Sequence, residues 1–232
     1  MIRLLSAIAA VAVLAIGGYL LFFQRDDAAP AEKPAVAAVE PDAGETPPAA
    51  DTADKVDTSG IVEMTLGDAD APVKVVEYAS FTCPHCANFH QGSFKKLKAE
   101  YIDTGKVHFT YRDVYFDQYG LWAAMVARCE PSKFFGISDL IYKGQSDWAR
   151  AGGPAEISAE LRKIGRLAGL PDDRIEACLK DAAKAQALVA WYQDNATSDG
   201  IDSTPSFVIN GSKVDNQAWD SFKAIIDAEL AK

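Results

Sequence analysis

Two cysteines three positions apart, in the stretch FTCPHCANFH (residues 81–90), are the residues whose types and spacing most directly suggest chemistry. A C-x-x-C pair can form half of a zinc site, a redox couple, or two inert buried thiols. A zinc site normally needs four ligands, and the chain has only four cysteines and three histidines, with no second C-x-x-C. The redox couple is therefore favoured, and metal binding and inert thiols are the alternatives.

The position of Cys83 predicts that it is the nucleophile of the pair. It follows the strand-like run VKVVEYASF and precedes a predicted helix, so it would occupy the helix N-cap with Pro84 in the first turn. Unpaired N–H groups and the positive end of the helix dipole would stabilise a thiolate there, and His85 would add a further positive influence. Cys86, one turn further on, would point inward and act as the second, resolving thiol.

Glu77 lies six residues before Cys83, in the strand-like run. Because strand side chains alternate with a period of two, Glu77 would share the apolar face of Val73 and Val75. A carboxyl group there would lose hydration, which would raise its pKa and allow it to exchange a proton with Cys86 near neutral pH. The alternative is a solvated glutamate on an edge strand.

The composition and the order of elements predict an α/β domain. The 232 residues are 49% apolar, enough for a sizeable core, and the formal charge of −10 argues against a nucleic-acid partner. Alternating and helical periodicities predict the order β-β-α-β, a helical block, then β-β-α. The predicted strands span residues 61–66, 73–81, 106–112, 206–209 and 213–214; the predicted helices span 84–103 and 216–230, and the helical block about 115–196.

The first 25 residues are unlike the rest of the chain. About 20 uncharged residues follow Arg3, which is enough helix to span about 30 Å of hydrocarbon. Bulky residues end this run where a signal peptidase requires small ones, so a membrane anchor is favoured over a cleaved signal peptide. Residues 26–59 are rich in Ala, Pro and acidic residues and predict a disordered linker. Residues 60–232 would then be the folded domain, tethered in the periplasm, or secreted if the signal is cleaved.

Two further cysteines lie in helical contexts, MVARCEPS around Cys129 and IEACLKDA around Cys178. Outside the cytoplasm disulfides form and persist, so these cysteines are expected to pair as a structural disulfide within the helical block. Two separately buried thiols and a second exchanging pair are the alternatives. Neither cysteine has the C-x-x-C spacing or helix N-terminal position that activates a thiol.

Taken together, the segments VVEYASFTCPHC and GIDSTPSFVING and the helical block between them resemble the exported thioredoxin-fold thiol:disulfide oxidoreductases of the DsbA type. The resemblance covers residues 61–231. It implies an α/β thioredoxin fold, with a mixed central sheet flanked by helices and a large helical insertion at about 115–196. It also implies that Glu77 is the buried acid and that His85 is the main tuner of the nucleophile.

The same resemblance implies a second element of the site. Proline is tolerated at a strand's first residue, so Pro205 could simply start a strand in the trans form. The family instead implies a cis Pro205 that packs beside Cys83 and leaves the backbone of Thr204 free to pair with an extended substrate.

The resemblance implies an enzyme that introduces disulfides into unfolded or reduced exported polypeptides. A membrane partner similar to DsbB would reoxidise it. The Cys83–Cys86 disulfide would be the only redox group, with no separate cofactor and no metal. The absence of a heptad pattern predicts a monomer. Thr204 before the proline also occurs in isomerase-type and reductase-type relatives, so a reductase or isomerase is the alternative enzyme. A copper-delivery or other metal-binding module is the alternative from another class.

Overall fold

The computed structural model describes residues 55–232. The predicted anchor (1–25) and all but the last five residues of the predicted linker (26–59) lie outside the described residues. Among residues 55–232 no helix is both long and apolar enough to cross a membrane.

A single five-stranded mixed sheet forms the centre of the fold, in the order β1-β3-β2-β4-β5. The central strand β2 runs parallel to β3 and antiparallel to β4, and the two outer pairs are antiparallel. This arrangement is the thioredoxin fold that the sequence predicted. The strands are Met64–Leu66 (β1), Val73–Ala79 (β2), Val107–Asp113 (β3), Ser206–Ile209 (β4) and Ser212–Asp215 (β5).

Nine α-helices accompany the sheet within the described part of the chain, with a π-helical turn at Lys98–Ile102 and a 3-10 turn at Pro131–Lys133. The helices are Pro84–Gln91 (α1), Ser93–Leu97 (α2), Gln118–Ala127 (α3), Phe134–Lys143 (α4), Gln145–Trp148 (α5), Pro154–Leu167 (α6), Asp172–Lys180 (α7), Ala182–Ser198 (α8) and Trp219–Leu230 (α9).

Several predicted elements differ in their bounds from those in the structure; the last helix, for example, begins at Trp219 rather than at residue 216. The first strand begins at Met64 rather than at residue 61. The helix predicted over 84–103 is interrupted at Gly92, whose backbone dihedrals (φ −121°, ψ −88°) are not helical. The N–H of Gly92 donates to the carbonyls of Asn88 and Phe89, so α1 ends there after eight residues. A glycine can adopt these dihedrals at little steric cost, which is why the break occurs at this position.

The helical insertion comprises α3 to α8. It follows the end of β3 at Asp113 and precedes the start of β4 at Ser206. Its breaks at Pro131, Gly153 and Pro171 coincide with residues that begin or precede helices. A disulfide joins Cys129, just after α3, to Cys178 in α7, across 49 positions of sequence. The insertion is therefore closed covalently on itself.

Gly67 lies in the turn between β1 and β2, where both the backbone conformation and the close approach of Val107 favour glycine. It adopts φ +88°, and a Cβ at this position would lie 2.4 Å from the carbonyl oxygen of Val107. We expect Gly67→Ala to destabilise the protein by at least twice as much as Gly105→Ala. Gly105 also has positive φ, but a Cβ there would meet no atom within 4 Å, so its cost is the left-handed strain alone, about 1 kcal/mol.

Urea unfolding of the two variants, followed by tryptophan fluorescence, measures this difference. Equal losses of stability in the two variants would show that the contact with Val107 adds nothing.

Candidate active site

Cys83 lies at the N-cap of α1, as the sequence predicted, and follows the end of β2 at Ala79 by four residues. Its sulfur accepts a hydrogen bond from the backbone N–H of Cys86 at 3.4 Å, and Pro84 occupies the first turn of the helix. The residue Cys83 is 7% exposed, whereas Cys86 is 0% exposed, and the two are not bonded to each other. This geometry gives one sulfur access to solvent at the positive end of a helix.

The two thiols of the motif lie in opposite electrostatic environments. A hydrogen bond from the Cys86 thiol, aided by hydrogen bonding from Thr204 and by the backbone N–H groups of Cys86 and His85, lowers the pKa of Cys83 to about 5. Burial raises the pKa of Cys86, and the charges of Glu77 and Cys83 raise it further. Cys83 is therefore the thiolate at neutral pH, and Cys86 holds its proton.

The structure places the imidazole of His85 on the exposed side of α1. Of the contributions to the Cys83 pKa, His85 supplies its backbone N–H. Its side chain makes no hydrogen bond within residues 55–232. The role of the imidazole as the main tuner of the nucleophile thus stays a prediction.

Glu77 lies at the centre of the sheet, opposite Tyr111 on β3 and Phe207 on β4, and is fully buried. The alternative of a solvated glutamate on an edge strand is therefore wrong. Both carboxylate oxygens contact Nε2 of His90, at 2.9 and 3.1 Å. His90 was not among the predicted site residues, although its position four residues after Cys86 places both side chains on one face of α1.

The peptide bond between Thr204 and Pro205 is cis, and it lies beside the active-site helix. The sulfur of Cys83 lies 3.5 Å from the carbonyl oxygen of Thr204. The loop that the resemblance assigned to substrate binding is thus in contact with the nucleophile.

Side chains of the helical insertion hold the turn that carries Cys83. Gln145 in α5 is buried, and its Nε2 donates to the carbonyl oxygens of Phe81 at 2.7 Å and Cys83 at 2.9 Å. Thr82 donates to the carboxylate of Asp117, at the N-cap of α3, at 2.9 Å. Neither contact has a sequence signal, because each joins positions more than 30 residues apart.

Cys83 should titrate as an acidic thiol. We expect the thiolate absorbance at 240 nm of the reduced, full-length protein to show a midpoint near pH 5, because hydrogen bonds to the sulfur favour the charged form. The variant Cys83→Ala should lose this transition, and Cys86→Ala should move its midpoint to higher pH because the largest cause of the shift is removed.

The lowered pKa of Cys83 also determines how the stability of the reduced protein depends on pH. The pKa of Cys83 is lower in the folded state, at about 5 against 9.0 for an unperturbed thiol. Its stabilising contribution is therefore complete above pH 9 and is lost as pH falls towards 5. A midpoint near 8 or 9 in the absorbance titration would contradict this assignment.

No cluster of three or more His, Cys, Asp or Glu side chains that could hold a metal ion occurs within residues 55–232. The cysteines of the motif therefore have no third protein ligand of these types beside them in the described part of the chain.

A family model described as thioredoxin matches residues 59–228. A crystal structure of alpha-DsbA1 from Wolbachia pipientis superposes with a TM-score of 0.66 at 29% identity, covering 73% of this chain and 91% of that one. The chain belongs to the DsbA-type branch of the thioredoxin family. The resemblance drawn from its motifs is confirmed.

Sequence relatives of this DsbA-type chain have names that refer to disulfide chemistry. Disulfide bond formation protein D of Bacillus subtilis is 29% identical over 178 residues, which are 72% of this chain and 77% of that protein. A Rickettsia felis protein, provisionally named a protein-disulfide oxidoreductase, is 35% identical over 170 residues. The match covers 72% of this chain but only 60% of the Rickettsia protein.

Proposed function

We propose that this chain is a protein thiol:disulfide oxidoreductase that donates the Cys83–Cys86 disulfide to cysteine pairs of other polypeptides. The observation that carries the proposal is the contrast between the two thiols. Cys83 is at a helix N-terminus with a pKa of about 5, whereas Cys86 is buried with a raised pKa. A low pKa on the outer sulfur stabilises the reduced form, so the bonded form is an oxidant.

The reaction is two successive exchanges. A substrate thiolate attacks the sulfur of Cys83, the Cys83–Cys86 bond breaks, and Cys86 leaves and is protonated. A second substrate thiolate then attacks the substrate sulfur of the mixed disulfide, and Cys83 leaves as a thiolate. The substrate loses two electrons and two protons; one proton is kept by Cys86 and the other is released to solvent.

The substrates that fit this site are reduced or unfolded polypeptides, because an extended segment could pair with the backbone beside Pro205. The family names of the relatives and the cis-proline loop next to Cys83 support this proposal. The apolar N-terminal run of the sequence supports a location at the periplasmic face of a membrane. There a DsbB-like partner would reoxidise Cys83 and Cys86.

The reduction potential of the Cys83–Cys86 pair tests the proposal. A thiol with a pKa near 7 accompanies a potential of about −270 mV, and lowering that pKa to about 5 stabilises the reduced form by about 2 kcal/mol, or about 50 mV. Equilibration of the full-length protein with glutathione buffers should therefore give a value between about −220 and −120 mV.

A potential at or below about −270 mV would overturn the disulfide-donor assignment and favour the reductase. Failure of the oxidised protein to form disulfides in a reduced, unfolded substrate protein would contradict it independently. The metal content of the anaerobically purified, reduced protein distinguishes the copper-delivery alternative.

A further inference from the structure

His90 is a buried titratable group that the cysteine chemistry described above does not use. It is 5% exposed, and its Nε2 lies 2.9 and 3.1 Å from the two carboxylate oxygens of Glu77. Nitrogen and oxygen atoms at such distances need a hydrogen between them, since two bare acceptors repel each other. The contact therefore holds at least one proton in every charge state of the pair.

His90 lies on the same face of α1 as the resolving cysteine, Cys86, because the two residues are four positions apart on that helix. The charge of Glu77 raises the pKa of Cys86, which places the carboxyl group within electrostatic reach of that thiol. The protons of Glu77, His90 and Cys86 are therefore coupled.

Two tyrosines complete the surroundings of His90. Its ring stacks on that of Tyr142 in α4, with the centroids 4.3 Å apart, and lies 5.8 Å from the ring of Tyr111 on β3. Burial raises the pKa of both tyrosines well above the usual range, and their hydroxyls are hydrogen-bonded at 2.7 Å. Both hydroxyls stay neutral, so neither tyrosine adds a charge beside His90.

Solvent reaches only one member of the pair. The side chain of Glu77 is 0% exposed, whereas that of His90 is 6% exposed. A proton that enters or leaves the buried carboxyl group by way of this pair must therefore pass through the imidazole. A histidine is suited to this because one ring nitrogen can bind Glu77 while the other exchanges a proton with solvent.

We propose that His90 is the proton-positioning partner of Glu77 and connects the buried carboxyl group to solvent whenever Cys86 gains or loses its proton. The inference rests on the proposed function. When Cys86 leaves as a thiolate, Glu77 donates a proton to it, Nε2 of His90 reprotonates Glu77, and water reprotonates His90. When Cys86 attacks a mixed disulfide, the same proton moves in the opposite direction.

The closure of a mixed disulfide tests this role in the full-length protein. Oxidised glutathione is added to the reduced protein, and acid quenching with mass spectrometry follows first the Cys83–glutathione adduct and then the Cys83–Cys86 bond, from pH 5 to 9. We expect His90→Gln to slow closure at pH 7 at least tenfold and to change how the closure rate depends on pH relative to wild type. Formation of the adduct should change less than twofold, because Cys83 attacks without the pair.

The matched control is His108→Gln, the same substitution on β3 at a histidine whose Nδ1 has no hydrogen-bond partner among residues 55–232. It should retain the wild-type rates. Glutamine at position 90 keeps an N–H for Glu77 but cannot titrate, so a purely structural role would leave the pH profile unchanged. Such an unchanged profile would overturn the inference while leaving the proposed function intact. Absence of adduct or closure in wild type would instead overturn the proposed function.

A measurement on the wild-type protein covers the case in which His90→Gln does not fold. The ¹⁵N chemical shifts of the ring nitrogens of His90 can be recorded by NMR in the oxidised and reduced proteins at the same pH. These shifts should differ between the two states, because the protonation of Cys86 changes between them. Identical shifts in the two states would contradict the proposal.

Discussion

Replacement of Cys83 by Ser should lower the rate at which the protein forms disulfides in a reduced, unfolded substrate by at least about 10³-fold. The thiolate that reacts is lost, and no second thiol can take its place. Cys86 is fully buried and its pKa is raised, so it offers neither access nor a thiolate. The rate is measured by alkylation and mass spectrometry of the substrate against a protein-free control.

The complementary variant Cys86→Ala should behave differently. Given a substrate protein that contains a disulfide, its Cys83 can still attack one sulfur while the other leaves as a thiolate. No internal thiol resolves the product, so the mixed disulfide should accumulate and persist until reductant is added. The thermal unfolding of both variants provides the control for folding. A Cys83→Ser variant that retained a tenth or more of the wild-type rate would show that the roles of the two cysteines have been assigned incorrectly.

Replacement of Arg128 by Met should destabilise the protein by about 3–5 kcal/mol, because it leaves a buried carboxylate without its partner. Arg128 and Asp113 are each 1% exposed, and Nε of Arg128 donates to Asp113 at 2.6 Å. A second nitrogen of Arg128 donates to the carbonyl oxygen of Val62 at 2.9 Å. This side chain therefore joins the end of α3 to the end of β3 and to the segment before β1.

The double variant Asp113→Leu with Arg128→Met removes both charges. Comparison with the single variant separates the free energy that the ion pair contributes from the cost of leaving Asp113 unpaired. The double variant should recover most of the stability, since apolar side chains can replace a buried ion pair at little cost. Arg162→Met is the matched control. Its partner Glu176 is 36% exposed, and loss of such a pair should cost less than about 1 kcal/mol in urea unfolding. A single variant at Arg128 that is as stable as this control would contradict the prediction.

The elements of the sheet and the positions of the reactive residues could be predicted because local patterns determine them. The apolar face shared by Val73, Val75 and Glu77 follows from alternation along a strand, and the burial of Glu77 follows from that face. The N-cap position of Cys83 follows from the strand before it and Pro84 after it. Each inference needs only neighbouring residues, so one sequence is sufficient.

The contacts that complete the site could not be predicted because they join distant parts of the chain. Gln145 reaches the carbonyl oxygen of Cys83 from across the helical insertion, and Arg128 pairs with Asp113 only once α3 has packed on the sheet. His90 is an intermediate case. Its spacing from Cys86 follows from helical geometry, but its partner Glu77 lies on another element. Helical periodicity can suggest a shared face without identifying what the face contacts.

The disulfide between Cys129 and Cys178 also determines what a single protease cut would do to this protein. Cys83 precedes the ring of polypeptide that the disulfide closes, and the Thr204–Pro205 bond follows it. A cut between positions 129 and 178 would give two fragments, one with the nucleophile and the other with the loop beside it. The disulfide would keep the fragments joined, so the nicked protein would migrate as one species on a non-reducing gel and separate only after reduction.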